Sequence, residues 1–177
     1  MTASGPLARA ESLITVIPDY PSPGIQFRDI TPLLADAAAL RAVTEALIAP
    51  FAGSFDVVAG VEARGFLLAA AAAIAADTGV VPVRKAGKLP RPAAAVDYAL
   101  EYGQATIEVH DDLPRGARVL LVDDVLATGG TLAAAHELFA AVGAEVTGTA
   151  VLLELEALGG RAVLSRVEPD IHTVFRA

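Results

Sequence analysis

The chain of 177 residues contains no cysteine, which excludes disulfides, thiolate nucleophiles and cysteine-ligated zinc. Aromatic residues make up only 5%, so a core has to be built from Ala, Val and Leu, side chains that suit helices packed closely on a sheet. Basic residues are few, 13 against 21 acidic, and the formal charge of −8 argues against nucleic acid or an anionic membrane as partner. A polyanionic ligand would need a local positive field. The opening stretch Met1-Thr-Ala-Ser-Gly-Pro-Leu-Ala-Arg9 lacks a basic segment followed by an apolar secretion core, and the apolar run 67–76 is too short to span a bilayer. A single cytoplasmic domain is the default expectation. Neither Gly-x-x-x-x-Gly-Lys-Ser/Thr nor Gly-x-Gly-x-x-Gly occurs, so ATP hydrolysis and dinucleotide chemistry lack their phosphate-binding motifs.

What is present is an alternation of strand and helix patterns. Leu7–Val16 reads as a short helix ending before Pro18, and residues 17–32, studded with Pro and Gly, as an ordered loop. Asp36 can cap a helix through Ile48 with Leu40, Val43 and Leu47 on one face. Apolar strands are expected at 55–60, 79–83, 119–122 and 146–153, with a short one at 162–164, and helices at 65–76 and 131–142. Thr131 is the expected N-cap of the last helix and Gly143 its C′ residue. Residues 98–102 and 104–110 read as a hairpin joined near Gly103. This order implies an α/β fold with a mostly parallel central sheet, whose sites lie beyond the carboxyl ends of strands.

Three unusual loops fall at such ends, after Gly60, Val83 and Val122. The last carries the densest chemistry: Val119-Leu-Leu-Val runs into Asp123-Asp124, then Val-Leu and the turn Ala127-Thr128-Gly129-Gly130-Thr131. Glycines allow tight backbone geometry, and the start of the following helix offers N–H donors and partial positive charge to a phosphate. Adjacent carboxylates at a strand end suit a sugar diol or a metal. A capped strand–turn–helix junction and two solvated acids are the plain alternatives. The stretch Arg84-Lys85-Ala-Gly-Lys88-Leu-Pro-Arg91 is basic and rich in breakers, either a polyphosphate field or an exposed solubilising loop.

The segment Val-Leu-Leu-Val-Asp-Asp-Val-Leu-Ala-Thr-Gly-Gly-Thr resembles the 5-phosphoribosyl-1-pyrophosphate motif of the type I phosphoribosyltransferases. The segments 17–34, Val61-Glu-Ala-Arg-Gly-Phe66, 83–90 and Tyr98-Ala-Leu-Glu-Tyr-Gly103 follow in that family's order, and Phe-Arg-Asp-Ile-Thr-Pro with Leu-Glu-Tyr-Gly narrows the likeness to members that use adenine. The resemblance implies a three-layer fold over residues 1–177, with 1–35 as base-binding region and 84–110 as mobile cover loop and hairpin. It implies formation of AMP and pyrophosphate from adenine and 5-phosphoribosyl-1-pyrophosphate, with Mg²⁺ held mainly by substrate near Asp123 and Asp124. In that scheme Asp123 and Asp124 engage the ribose hydroxyls and Ala127, Thr128, Gly129, Gly130 and Thr131 hold the 5′-phosphate. Glu62, Ala63 and Arg64 form a pyrophosphate loop with a cis bond between Glu62 and Ala63. Arg84, Lys85 and Lys88 meet pyrophosphate, Arg84 reaching across a homodimer. Phe27 stacks on the base between Gln26 and Arg28, Glu101 is the acid/base group, and Tyr102 helps place it. A transferase for a 6-oxopurine and a catalytically silent regulator are the alternatives; the short N-terminus and acidic charge leave no place for a DNA-binding segment. Two departures from the family pattern are the Leu-Leu-Ala run after Phe66, where relatives often carry Gly or Pro, and the segment 91–97, short of small polar residues.

Overall fold

The computed structural model describes residues 5–99, 104–168 and 170–177. Glu101 and Tyr102 lie outside them. The chain separates into two compact units, residues 1–46 and 47–177.

The first unit holds α1 (Pro6–Ser12), β1 (Thr15–Pro18), β2 (Gln26–Asp29), α2 (Thr31–Ala35) and most of α3 (Ala37–Ile48). The helix expected over 7–16 stops at Ser12, because Thr15, Val16 and Ile17 are β-branched and pair better as a strand. The expected loop likewise contains β2, antiparallel to β1 with Ile17 opposite Phe27. Its turn is tied locally: the Gly24 amide donates to Asp19 Oδ1 at 2.7 Å, and the Tyr20–Pro21 bond is cis. Asp36 caps α3 as expected, its Oδ1 accepting from the amides of Ala38 at 3.1 Å and Ala39 at 2.9 Å. Val43 and Leu47 are fully buried and Leu40 partly so.

The second unit is built on one sheet in the order β5-β6-β4-β3-β7-β8-β9. Its strands are β3 (Val57–Val61), β4 (Gly79–Lys85), β5 (Ala94–Ala99), β6 (Gln104–Val109), β7 (Arg118–Leu126), β8 (Glu145–Glu154) and β9 (Ile171–Arg176). β4, β3, β7, β8 and β9 are parallel, while β6 runs antiparallel to β4 and β5. Alternate residues of the buried strands serve opposite faces. Val57, Ala59, Val61, Val119 and Leu121 form one core with Leu132, Ala135, Leu138 and Phe139 of α5 (Gly130–Ala141). Gly60 faces α4 (Gly65–Ala75), whose Ala69 lies where a side chain on Gly60 would sit. Helices therefore cover both faces, and the three-layer fold with a mostly parallel sheet is as the sequence implied.

Four local expectations need correction. Residues 162–164 are not a strand but part of α6 (Gly160–Leu164), whose buried residues, Gly160 and Leu164, are spaced four apart as on a helix; β9 carries the final strand instead. The N-cap of α5 is Gly129, at φ 83°, and not Thr131, which is already helical; only glycine enters that left-handed geometry without a Cβ penalty. The basic stretch begins inside β4, and residues from Ala94 onward belong to β5. Asp123 and Asp124 lie within β7 and not beyond it, because pairing with β8 continues through Leu126 and Glu154. At the other end of α5 the expectation holds: Gly143 is at φ 76°, its amide donates to Ala140 O, and the Ala144 amide donates to Phe139 O. This is the double bond of a Schellman stop.

A Cβ on Gly60 would lie 2.7 Å from Ala69 Cβ and 2.8 Å from Gly65 O. Gly60→Ala should therefore push α4 off the sheet and lower stability by about 1–3 kcal/mol, read from the urea midpoint. An unchanged midpoint would mean that the helix can lift at no cost.

Candidate active site

β7 delivers Asp123 and Asp124 to the carboxyl end of the sheet, 9% and 7% exposed. A carboxylate loses its hydration there, and few groups replace it. Asp123 Oδ1 accepts from the Asp124 amide at 2.9 Å. Asp124 Oδ2 is ion-paired with Arg64 Nη2 at 2.7 Å. Burial pushes the Asp123 carboxyl well above the usual range, and the neighbouring Asp124 charge adds to the effect. Burial also raises Asp124, opposed by the Arg64 guanidinium. The acid pair is thus suited to a cation or to hydroxyl donors.

Beyond β7 the chain turns through Ala127–Gly129 into α5. Asp123, Val125, Leu126, Ala127, Thr128, Gly129, Thr131 and Leu132 enclose a cavity of about 60 Å³. The first N–H groups of α5 lack intrahelical partners and carry the positive end of the helix dipole. A phosphate is a suitable occupant.

The second loop joins β3 to α4. Its Glu62–Ala63 bond is cis, as the resemblance implies, and Arg64 precedes the first helical residue. Gly65 is required by proximity: a Cβ there would meet Asp123 Oδ1 at 2.8 Å and Val122 O at 3.1 Å. The Glu62 carboxylate gathers the third loop. It accepts from Arg84 Nε at 3.1 Å, from the Lys85 amide at 2.9 Å and from Lys88 Nζ at 2.5 Å. Burial opposes its ionisation, yet the bonds from Lys88, the Lys85 amide and Arg84 together with the Lys88 charge bring its carboxyl down to about 2. Arg84 also lies over the Phe66 ring at 5.8 Å, a cation–π contact. Glu108 holds the next turn, accepting from the Gly87 amide at 3.1 Å.

The second unit therefore brings Glu62, Ala63, Arg64, Lys88 and residues 127–131, on loops or the start of α5, together with Arg84 and Lys85 at the end of β4 and Asp123 and Asp124 near the end of β7, to one end of its sheet. Gln26, Phe27 and Arg28 lie on β2 of the first unit, where Phe27 meets Tyr20 edge to face with ring centroids 5.2 Å apart. Among the described residues no group of three or more His, Asp or Glu is assembled for a metal. Two carboxylates with substrate oxygens are how Mg²⁺ is commonly held, so Asp123 and Asp124 fit a substrate-borne ion.

A family model for the phosphoribosyl transferase domain matches residues 29–175. The chain belongs to the type I phosphoribosyltransferase family. It is 64% identical to an adenine phosphoribosyltransferase of Renibacterium salmoninarum over 156 residues, 88% of this chain and 86% of that protein. Among solved structures it is similar to an adenine phosphoribosyltransferase from Rhodothermus marinus, with TM-score 0.90, 47% identity and coverage of 97% and 98% of the two chains. An APRTase from Giardia lamblia, complexed with 9-deazaadenine, superposes with TM-score 0.92 at 39% identity over 98% and 99%. For a phosphoribosyltransferase the site holds two glycines whose packing role motif reading did not give, although Gly65 stands in the quoted pyrophosphate-loop segment. Gly65 keeps α4 against the carboxylates, and its position at the end of the Arg-Gly pair is the available signal. Gly160 packs on the phosphate turn, signalled only by the doublet Gly159-Gly160.

The raised Asp123 carboxyl gives a signed prediction. A group whose folded pKa is raised destabilises the fold once it is ionised, so the fold gains relative to the unfolded chain as pH falls through the folded value. Asp123→Asn should raise Tm by a few degrees near pH 8, with the gain shrinking as pH is lowered toward the ordinary carboxylate range. Thermal unfolding at several pH values provides the check, and a variant less stable than wild type near pH 8 would contradict the assignment.

Proposed function

We infer that the protein transfers the 5-phosphoribosyl group from 5-phosphoribosyl-1-pyrophosphate to adenine, forming AMP and pyrophosphate, a purine-salvage reaction. The observation that carries the reading is the buried pair Asp123–Asp124 leading into the cavity lined by Ala127, Thr128, Gly129 and Thr131 at the start of α5. The adenine phosphoribosyltransferase relatives, aligned along most of the chain, supply the base.

The reaction joins a ring nitrogen of adenine to the anomeric carbon of ribose and breaks that carbon's bond to pyrophosphate. Positive charge grows on the ribosyl centre as the leaving group departs. Asp123 and Asp124 accept the ribose hydroxyls and, already desolvated, stabilise that charge more in the transition state than in the ground state. Ala127, Thr128, Gly129, Gly130 and Thr131 anchor the 5′-phosphate through backbone amides and hydroxyls. Glu62, Ala63 and Arg64 border the pyrophosphate, with Arg84, Lys85 and Lys88 as its basic wall. Mg²⁺ supplies charge neutralisation on the leaving oxygens when bound. On the base side Phe27 stacks on the purine, with Gln26 and Arg28 beside its edge. Glu101, assigned by family likeness alone, takes the proton that adenine releases, and Tyr102 supports it.

The proposal extends to a cytoplasmic homodimer. No helix among the described residues is long and apolar enough to cross a membrane, and the net charge of −8 disfavours nucleic acid. Support for pairing comes from α4, whose sequence Gly-Phe-Leu-Leu-Ala-Ala-Ala-Ala-Ala-Ile-Ala has no polar side chain. Its inner face meets the sheet, but Leu67 and Ile74 are 56% and 84% exposed. A helix apolar on every side is ordinarily buried on every side, and a second copy across a two-fold axis would cover both copies of this face together. It would also bring Arg84, near the start of α4 through Phe66, toward the partner.

The direct test of the reaction is a purine panel with Mg²⁺ and 5-phosphoribosyl-1-pyrophosphate, monitored for nucleotide. Rapid AMP formation is expected from adenine. Preference for a 6-oxopurine would overturn the base assignment, and no nucleotide from any purine would overturn the reaction. For the dimer, Ile74→Glu should shift sedimentation at low micromolar concentration toward the monomer while leaving the fold intact. A wild-type monomer that is fully active would reject the pairing.

A further inference from the structure

The reaction scheme leaves residues 155–164 without a role, yet they are bound to the end of β7 at several points. Leu126, the last residue of β7, pairs in register with Glu154 of β8. The Leu155 amide then donates to Leu126 O at 2.9 Å. After a short 3-10 turn over Glu156–Leu158, Gly159 reverses the chain at φ 68° and α6 begins. That reversal places the Gly160 backbone directly on the phosphate turn. A Cβ built on Gly160 would fall 2.2 Å from Ala127 O and 2.9 Å from Gly129 N, and one built on Gly129 would fall 2.5 Å from Gly160 O. Two backbone segments touch here with no side chain between them.

The next residue fixes this approach. Arg161 donates through Nε to Glu154 Oε1 at 2.9 Å and through Nη2 to Glu154 Oε2 at 2.6 Å. Its Nη1 donates to Ile171 O at 3.1 Å and Nη2 also to Thr173 Oγ1 at 3.1 Å. Glu154 is 4% exposed, and the hydrogen bonds from Arg161 hold its carboxyl below the usual range against burial. The contacts close a ring: Leu126 to Glu154 across the sheet, Glu154 to Arg161, and Gly160 back onto Ala127 and Gly129. A bidentate guanidinium gives such a ring a defined geometry that an ammonium would not.

We propose that Gly160, oriented by the Arg161–Glu154 pair, is a positioning residue for the 5′-phosphate turn. The inference rests on the assignment of Ala127–Thr131 to that phosphate. Gly160 acts through the Ala127–Gly129 backbone it lies against. It sets the height of the Ala127–Gly129 peptides, and so the aim of their amides, because there is no room for these peptides to relax toward α6. Displacement of an anchoring group by about an ångström is enough to cost up to a hundredfold in a positioned reaction.

The test uses ribose 5-phosphate as probe, with the full-length protein, and compares its dissociation constant with the KM values for 5-phosphoribosyl-1-pyrophosphate and adenine. Gly160→Ala should weaken ribose 5-phosphate about tenfold and raise KM for the sugar diphosphate in parallel, with KM for adenine changed by less than about twofold. Arg161→Met should move the same two quantities in the same direction, and Arg161→Lys should recover part of the loss. If Gly160→Ala does not fold, the Arg161 pair of variants decides. Wild-type affinity for ribose 5-phosphate in a folded Gly160→Ala protein, or equal losses toward both substrates, would overturn the brace. Thr131→Val separates the two assignments: loss of ribose 5-phosphate there, with none in Gly160→Ala, leaves the phosphate turn standing and removes only the brace. An unchanged affinity in Thr131→Val overturns the phosphate assignment on which it rests.

Discussion

Two carboxylates on consecutive residues of a buried strand are costly to keep side by side, and the structure around β7 is arranged to hold them there. Asp124 is met by one guanidinium, from Arg64 at 2.7 Å, while Asp123 gains chiefly a backbone amide. Neither receives enough to offset burial, so both carboxyls are raised. A folded protein tolerates that imbalance only when the rest of its core is well made, and here Val119, Leu120, Leu121 and Val122 immediately before the pair are all fully buried. The same imbalance is useful in catalysis. In the proposed reaction, charges already stripped of water would not have to be stripped again when a cationic ribosyl centre forms beside them.

The opposite side of the site answers a different electrostatic problem, how a chain of net charge −8 keeps a cluster of cations in place. Glu62 solves it by gathering Arg84, the Lys85 amide and Lys88 on one carboxylate, ionised down to about pH 2. The basic residues are thereby held in one arrangement, and a fixed arrangement lowers the entropy lost when such groups bind a ligand. In the proposed reaction, pyrophosphate would compete with Glu62 for these cations or share them. Attraction on this side is moderated by an internal anion, just as repulsion on the carboxylate side is moderated by Arg64. Both moderating residues come from the single loop 62–64, so the charge balance of the acidic and basic clusters is coupled through one short piece of backbone.

Much of this was legible in the sequence because the informative residues are contiguous. The apolar run 119–122, the acid pair and the small-residue turn follow one another in the chain, and spacing alone places them on a strand, its end and a helix start. The strand lengths were less legible: nothing in Asp123-Asp124-Val125-Leu126 announces that ladder pairing continues, since acids are poor strand formers and only the partner β8 holds them there. The segment 162–164 was misread because three residues carry no period, and the burial of Gly160 and Leu164 is a tertiary fact. The role of Glu62 as a hub was hidden for a similar reason. Its partners lie 22 to 26 residues away, and a basic run looks solvated unless its counterion is known. The assigned acid/base group Glu101 falls outside the described residues, so its reading remains one of resemblance.

Several of the residues that set the geometry of the site share the absence of a side chain. Gly60 lets α4 approach β3, Gly65 lets the same helix begin beside Asp123, and Gly129 and Gly160 let the phosphate turn rest on α6, all at distances a single methyl would violate. A chain with 5% aromatic residues cannot position its site with large rings wedged between layers, and an Ala-rich helix such as α4 has little side chain with which to reach. Close backbone approach is the remaining means of fixing geometry, and it is a stiff one, because repulsion between peptide atoms rises steeply where a flexible side chain would yield. Stiffness of that kind suits a site whose catalytic contribution is positioning and fixed electrostatics. The small residues that lower the information content of the sequence are, in the folded protein, the ones that determine where its charged groups stand.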